Sequence, residues 1–213
     1  MKFAMSYSCG KDSALALYKM MKAGNEPVCI IVTINEDAGR SWFHGVDEGL
    51  LEKVSKALEL PLIAARCTGA TYQAAFEDAL KKAAELCAEC CAFGDIDIEG
   101  HLDWNRERCA TAGLECMVPL WGLSRSEAVE ELLEAGFEAR IKCVQKEYLN
   151  TSFLGRTLDA ALIREIEATG ADICGENGEY HTFVCNGPIF RAPVQITVGE
   201  ILDFDTHAAI DIR

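Results

Sequence analysis

Residues 8–13 have the sequence Ser-Cys-Gly-Lys-Asp-Ser and stand between a short apolar run and a helical one. Residues 3–7 predict a buried strand, and residues 14–21 predict a helix that ends near Gly24. A helix N-terminus offers unpaired N–H groups and a partial positive charge. Small residues let a phosphate approach the backbone, and a lysine adds a point charge. The segment therefore predicts a phosphate-binding turn between the first strand and the first helix.

Two familiar nucleotide-binding motifs do not match this turn. The Walker A loop requires Ser or Thr after its lysine, whereas Lys11 is followed by Asp12. The glycine spacing of the dinucleotide motif is absent as well. A positive φ at Cys9 would strain that residue by roughly 1–2 kcal/mol, and its thiol would add a reactive group beside the turn. An ordinary capped helix after an edge strand is the simpler alternative.

Composition limits the class of protein. The 213 residues suffice for one large or two small domains. A net charge of −14 argues against a general nucleic-acid binder, but it permits a small phosphorylated ligand in a local pocket. The sequence has no run of about 18 apolar residues, so no membrane span is predicted. The charged turn near the start argues against a secretory signal. We therefore expect a cytoplasmic protein.

The eleven cysteines are scattered through apolar segments, which predicts reduced thiols packed as small hydrophobic side chains. Cys87, Cys90 and Cys91 form the one cluster, for which a metal or redox role is the alternative. No second pair at zinc spacing follows, and His101 is the nearest histidine. We favour the packing role.

Strand and helix patterns alternate up to about residue 145, which predicts an open, mostly parallel, doubly wound α/β sheet of Rossmann-like type. Predicted strands follow the first at residues 28–34, 60–64, 90–93, 115–121 and 138–144, and the strand at 115–121 ends in a Pro-Leu-Trp turn. Helices are predicted at 46–58, 71–86, 101–112 and 124–135, the last beginning with a capping box of Ser124 and Glu127. A helix at 157–169 and strands at 194–201 and 208–212 then predict a small C-terminal α+β lobe or an extension of the same sheet. We place the domains at residues 1–147 and 148–213.

Ligands of such sheets bind where the strands end. Thr33 lies at the end of the second strand, and the loop after it holds Trp42, Phe43 and His44 as a wall for a nucleotide or a substrate. Gly94 and Asp95 follow the fourth strand, where Asp95 could hold Mg²⁺ or bond a ribose. Loop anchoring by the aromatic residues and a turn aspartate are the alternatives.

Residues 175–183, Gly-Glu-Asn-Gly-Glu-Tyr-His-Thr-Phe, form a second unusual segment. It combines two carboxylates, a phenol, an imidazole and a hydroxyl with two glycines. A flexible loop of this kind can present several polar groups to one ligand, although a purely structural turn remains the alternative.

The first segment resembles the S-G-G-K-D-S signature of the PP-loop ATP pyrophosphatases, with Cys9 in place of a glycine. The second resembles the E-G-G-E-Y-H-T-F signature of the diphthine–ammonia ligase family, with Asn177 in place of a glycine. Residues 41–45, 94–96, 119–121, 154–156 and 186–190 are also similar to elements of that family. The resemblance covers nearly the whole chain.

This resemblance implies an adenine nucleotide alpha hydrolase-like fold and an ATP-dependent amidation. ATP would adenylate a carboxylate with loss of pyrophosphate, and ammonia would then displace AMP. The family reaction converts diphthine on elongation factor 2 to diphthamide. ATP and Mg²⁺ are the implied cofactors, ammonium and the carboxylate acceptor are the implied partners, and a homodimer is left open.

The polar residues of both segments suit this chemistry. Lys11 would neutralise the leaving pyrophosphate, Asp12 would orient the loop or a Mg²⁺-bound water, and Glu176 and Glu179 would contact a metal ion or ammonium and remove a proton. The expected nucleotide-binding residues are Ser8, Cys9, Gly10, Lys11, Asp12, Ser13, Thr33, Gly94 and Asp95. The expected acceptor-binding residues are His44, Arg156, Tyr180, His181 and Thr182.

Three other functions stay open. The same chemistry could act on a different small carboxylate. A tRNA thiolase would need catalytic cysteines, for which Cys9, Cys87 and Cys90 are available, but the chain is acidic. A non-catalytic nucleotide sensor would not need the second polar segment.

Overall fold

The computed structural model describes residues 1–213 and contains two β-sheets. The strands of the first are β1 (Lys2–Ser6), β2 (Glu26–Asn35), β3 (Arg40–Ser41), β4 (Leu62–Cys67), β5 (Cys90–Ala92) and β6 (Glu115–Met117). Its helices are α1 (Lys11–Lys22), α2 (Glu48–Leu58), α3 (Tyr72–Glu85), α4 (Glu99–Thr111) and α5 (Arg125–Glu134). The second part holds β7 (Glu138–Gln145), α6 (Ala160–Ala168), β8 (Tyr180–Asn186), β9 (Val198–Asp203) and β10 (His207–Ile212). None of the helices is long and apolar enough to cross a membrane.

The first sheet is parallel in the order β4-β2-β1-β5-β6, and the short β3 pairs antiparallel with the end of β2. The chain moves outward from β1 through β2 to β4 and then returns to the other side of β1 as β5. The strand order therefore reverses between β1 and β5, which is where such sheets open a crevice for a ligand.

Both faces of this sheet are covered, as the doubly wound prediction requires. In β2, Ile30 and Val32 pack into the core on the side of α1, α2 and α5, whereas Cys29 and Ile31 pack against α3 and α4. Strands buried on both faces are continuous apolar runs rather than alternating ones. The predicted mixed α/β class is confirmed.

The second sheet is antiparallel, in the order β8-β7-β10-β9. The expectation that residues 138–144 supply a further strand of the parallel sheet is therefore wrong, because β7 pairs with β8 and β10. A strand pattern shows which face is buried but not which strand lies beside it. The division of the chain at residue 147 stays a prediction, and it separates β7 from the strands with which it pairs.

Two other elements differ from the sequence-based prediction. The loop expected at residues 175–183 ends at residue 179, since β8 begins at Tyr180. The strand expected to begin at residue 115 is shorter than predicted and ends at Met117, and the predicted Pro-Leu-Trp turn follows it. The capping box that begins α5 is confirmed, because the Ser124 side chain accepts a hydrogen bond from the Glu127 N–H and the Glu127 side chain bonds back to Ser124.

The two sheets share one core. We therefore expect two isoleucines to differ in how much stability is lost when each is replaced by alanine. Ile141 in β7 is completely buried, whereas Ile201 in the edge strand β9 is 49% exposed. Ile141→Ala should lower the free energy of unfolding by about 2–5 kcal/mol, and the matched change Ile201→Ala by about 0.5 kcal/mol or less. Urea denaturation of both variants measures this, and equal losses would contradict the shared core.

Candidate functional site

The turn after β1 keeps some of its backbone donors free. The Ser8 N–H donates to Ser13 Oγ at 3.2 Å, and the Gly10 N–H donates to Ser8 Oγ at 3.2 Å. The N–H groups of Cys9, Asp12 and Ser13 make no hydrogen bond within the protein. Free N–H groups at a helix N-terminus are an anion-binding arrangement. The phosphate-binding turn predicted from the sequence has the geometry that such binding needs.

Cys9 has a positive φ of 66°, so the backbone strain considered in the sequence analysis is present. Its side chain is fully buried, and burial raises the pKa of the thiol well above its usual range. The expectation of a reactive thiol beside the turn is therefore wrong, because the side chain points into the core and stays protonated.

Strand β8 holds the turn from behind. The Val184 N–H donates to the Cys9 carbonyl at 2.8 Å, and the Lys11 N–H donates to Thr182 Oγ1 at 3.0 Å. Thr182 also accepts at its carbonyl from Nδ1 of His44, at 2.7 Å. Thr182 thus joins the turn, the loop after β2 and the second sheet, and it is itself buried.

Two glycines permit close approaches at the turn. A Cβ on Gly10 would lie 2.4 Å from Cε1 of His44. A Cβ on Gly94, at the end of β5, would lie 2.8 Å from the Asp12 carbonyl carbon and 2.9 Å from the Ser13 nitrogen. Gly94 therefore lies directly against the peptide that carries a free N–H group, and a larger residue would cover it.

A cavity of about 390 Å³ opens beside the turn, at the point where the strand order reverses. Its polar lining includes the carboxylates Asp12, Asp95 and Glu176 but no lysine or arginine. The other side chains and glycines that line it are Ser6, Ser8, Ser13, Phe43, His44, Tyr72, Phe76, Phe93, Gly94, Ile98, His101, Trp104, Asn105, Gly175 and His181. An anion in this cavity would depend on backbone N–H groups or on a bound cation.

Asp95 is held rigidly by α4. Its Oδ1 lies 3.0 Å from Nδ1 of His101, and its Oδ2 accepts from Nδ2 of Asn105 at 2.8 Å. No three His, Cys, Asp or Glu side chains are grouped to hold a metal ion. Mg²⁺ is often bound by one or two carboxylates together with phosphate oxygens, so the donor set fits a metal that arrives with a phosphate ligand.

An aromatic wall forms the other side of the cavity. Tyr72 packs edge-on against Phe43, with ring centroids 6.4 Å apart, and its ring lies 6.0 Å from that of Trp104. Thr33 lines a smaller adjoining hollow together with Trp42 and Tyr72. This wall offers apolar faces against which a flat ring can stack.

His44 and His181 lie together at the cavity, with ring centroids 4.9 Å apart. Burial, followed by the nearby His181, lowers the pKa of His44 to about 3. Burial and then the Lys11 charge lower the pKa of His181 as well. A carbonyl only accepts hydrogen bonds, so Nδ1 of His44 carries its proton and Nε2 is a neutral acceptor.

Lys11 and Glu176 differ in their access to the cavity. The Lys11 ammonium donates to both Asp12 oxygens, at 2.7 and 2.8 Å, and does not line the cavity. Glu176 does line it, and burial together with the Asp12 carboxylate raises the pKa of Glu176 to about 7. A carboxylate with this pKa can exchange protons near neutral pH.

Eight predicted site residues do not line the cavity, namely Cys9, Gly10, Lys11, Thr33, Arg156, Glu179, Tyr180 and Thr182. The Glu179 carboxylate is buried and accepts from the Asn177 N–H at 3.1 Å, and the Tyr180 hydroxyl donates to the Ile173 carbonyl at 2.5 Å. Thr182 caps the turn from behind. Arg156 makes two hydrogen bonds of 2.7 Å to Glu165 and stands apart from the lining residues.

Sequence reasoning missed the residues of α3 and α4 at this site. Tyr72 and Phe76 are one turn apart on α3, in a segment for which the sequence analysis predicted only a helix. Asn105 lies one turn after His101 on α4, and both contact Asp95. Aromatic and polar residues spaced by four in helices that follow site strands were the available signal.

Fold and turn together define an α/β protein with an anion-binding turn where the order of its parallel strands reverses. Residues 1–116 match the family model described as the diphthamide synthase N-terminal domain, and residues 124–213 match that of the diphthamide synthase C-terminal domain. The chain therefore belongs to the diphthamide synthase family.

Curated relatives carry the name diphthine–ammonia ligase. The chain is 25% identical to that of Bos taurus over 234 residues, covering 98% of this chain and 86% of the relative. It is 24% identical to that of Homo sapiens over 232 residues, covering 95% and 85%. A predicted subunit of tRNA methyltransferase from Methanocaldococcus jannaschii aligns over 91% of this chain and 100% of its own, with 17% identity and a TM-score of 0.48 that is too low to support an argument.

The cap from Thr182 can be tested by a matched pair of substitutions. Thr182→Val removes the acceptor for the Lys11 N–H and should lower the free energy of unfolding by about 1–3 kcal/mol, whereas Thr182→Ser keeps the oxygen and should cost less. Urea denaturation and amide hydrogen exchange at Lys11 measure both effects. If Ser costs as much as Val, the hydroxyl is not acting as the cap.

Proposed function

We propose that this protein is an ATP-dependent ligase that amidates a carboxylate with ammonia and releases AMP and pyrophosphate, with diphthine as the acceptor. The observation that carries the proposal is the set of three free N–H groups, at Cys9, Asp12 and Ser13, beside a cavity that contains Glu176. Family membership over both parts of the chain supports the same reaction.

The free N–H groups would bind the phosphate chain of ATP. Ser8 and Ser13 line the cavity, and their hydroxyl oxygens lie 3.1 Å apart. These donors are fixed before the ligand arrives, so they can stabilise charge that develops on a leaving pyrophosphate. The adenine ring would stack on the aromatic wall of Phe43, Tyr72 and Trp104.

In the first step, a carboxylate oxygen of the acceptor attacks the α-phosphorus of ATP. The bond to the oxygen that bridges the α and β phosphorus atoms breaks, and pyrophosphate leaves with that electron pair. The cavity must hold two anions in reacting geometry, and fixed donors at the turn would help to make this step effectively intramolecular. His181 lies at the cavity and would contact the acceptor as a neutral group, whereas the free Nε2 of His44 is a hydrogen-bond acceptor and would not bind a carboxylate.

In the second step, ammonia attacks the acyl carbon and AMP leaves. Ammonium must lose a proton before it can act as a nucleophile, and Glu176 has a pKa of about 7 that suits it to accept this proton. The carboxylates of the lining would attract ammonium as a cation. Mg²⁺, bound through Asp95 and phosphate oxygens, would supply charge neutralisation on the phosphates.

The alternatives have less support. A thiolase needs an accessible thiolate, but Cys9 and Cys90 are buried and burial raises the pKa of the Cys90 thiol to about 11. Cys87 is exposed, yet it precedes β5 and so lies at the end of the sheet opposite to the cavity. A sensor would have no use for a carboxylate with the raised pKa of Glu176.

Product analysis tests the proposal directly. The protein is incubated with ATP, Mg²⁺ and ammonium, with and without an elongation factor 2 that carries diphthine. AMP and pyrophosphate in equal amounts, formed only with the acceptor, are the expected result. AMP formed at the same rate without the acceptor would mean that the substrate is not diphthine, and ADP or no product would contradict the proposal.

Glu176→Gln should release pyrophosphate but form amide at least about tenfold more slowly.

Gly94→Ala tests the phosphate turn itself. The new Cβ would press on the Asp12–Ser13 peptide, and misplacing reacting groups by about 1 Å costs on the order of 100-fold in rate. We expect a loss of this size in kcat/KM for ATP. Gly69→Ala is the matched control, since nothing lies within 4 Å of its Cβ position. Equal activity of both variants would exclude the turn from the reaction.

A further inference from the structure

The Lys11 side chain is directed away from the cavity. Lys11 is the first residue of α1, and its side chain is buried among Leu15, Val129 and Leu132 in the layer between α1 and α5. Its neighbours Asp12 and Ser13 do line the cavity. The lysine of the phosphate turn therefore lies on the inner side of the helix start, facing the core.

A buried ammonium must be paired, and the pairing fixes Asp12. Both Asp12 oxygens accept from the Lys11 ammonium, and the Tyr180 ring lies 5.8 Å from the same nitrogen. Burial alone would lower the pKa of Lys11, but Asp12 and Tyr180 raise it above its usual value. Bonds to both oxygens leave the Asp12 carboxylate little freedom to turn within the cavity.

Anion binding does not require this lysine. The cavity lining contains no lysine or arginine, and the N–H groups of Cys9, Asp12 and Ser13 are free. A Lys11 ammonium that moved to a phosphate would leave Asp12 unpaired beside Glu176, another carboxylate. We infer that Lys11 is a positioning residue, which holds the Asp12 carboxylate at the cavity and makes no contact with the nucleotide.

Kinetics of two variants test this inference. This test rests on the proposed function, because it measures ATP turnover. Lys11→Met keeps the length of the side chain but removes the charge, and it should lower kcat at least about tenfold while KM for ATP changes by less than about threefold. Lys11→Arg retains a cation that can bond both Asp12 oxygens and should recover part of kcat. A rise of about 30-fold or more in KM with kcat unchanged would mean that Lys11 binds the phosphates.

A second measurement uses the unmodified side chain and needs no turnover. In ¹⁵N-lysine NMR spectra, the Lys11 ammonium should give a slowly exchanging signal in the ligand-free protein. Adding inorganic pyrophosphate should shift the amide signals of Cys9, Asp12 and Ser13 more than that of the Lys11 ammonium. A Lys11 signal that shifts most would overturn the inference. If the protein binds pyrophosphate in this way but does not cleave ATP, the proposed function fails and the inference about Lys11 stands.

Discussion

The hydrogen bonds between β8 and the turn after β1 are the contacts on which the site depends. The Val184 N–H donates to the carbonyl of Cys9. Thr182 accepts hydrogen bonds from the first N–H of α1 at its hydroxyl and from the imidazole of His44 at its carbonyl. These bonds cross from the antiparallel sheet to the parallel one. They hold the turn in a strained conformation in which the N–H groups of Cys9, Asp12 and Ser13 stay free, so neither sheet forms the site alone.

Close packing at the turn explains its small residues. The His44 ring lies against Gly10, and the Asp12–Ser13 peptide lies against Gly94. In both places a Cβ atom would come too close to its neighbours. Cys9 takes a left-handed conformation that glycine adopts more easily, at a cost of roughly 1–2 kcal/mol. Its buried side chain offsets part of that cost through core contacts. The turn is thus a compromise between backbone strain and packing.

The charges of the cavity follow one logic. Its lining has carboxylates and the neutral imidazoles of His44 and His181, while the buried ammonium of Lys11 is paired with Asp12. Burial disfavours the charged form of Glu176, and the nearby Asp12 carboxylate disfavours it further, which is why the pKa of Glu176 rises to about 7. Such a cavity suits cationic ammonium and leaves phosphate binding to backbone donors, as the proposed ligase reaction requires.

The local structure can be read from the sequence: the strand, turn and helix around residues 8–13, the doubly buried strand β2 and the cap at Ser124 all follow from short-range pattern and backbone chemistry. The pattern does not show that β7 joins the second sheet, that Lys11 faces the core, or that Glu179 and Tyr180 make contacts within the loop rather than at the cavity. Asp95 likewise gains its partners from α4. These outcomes depend on contacts between residues distant in sequence, and residue type and spacing do not encode the direction of a side chain among several buried partners.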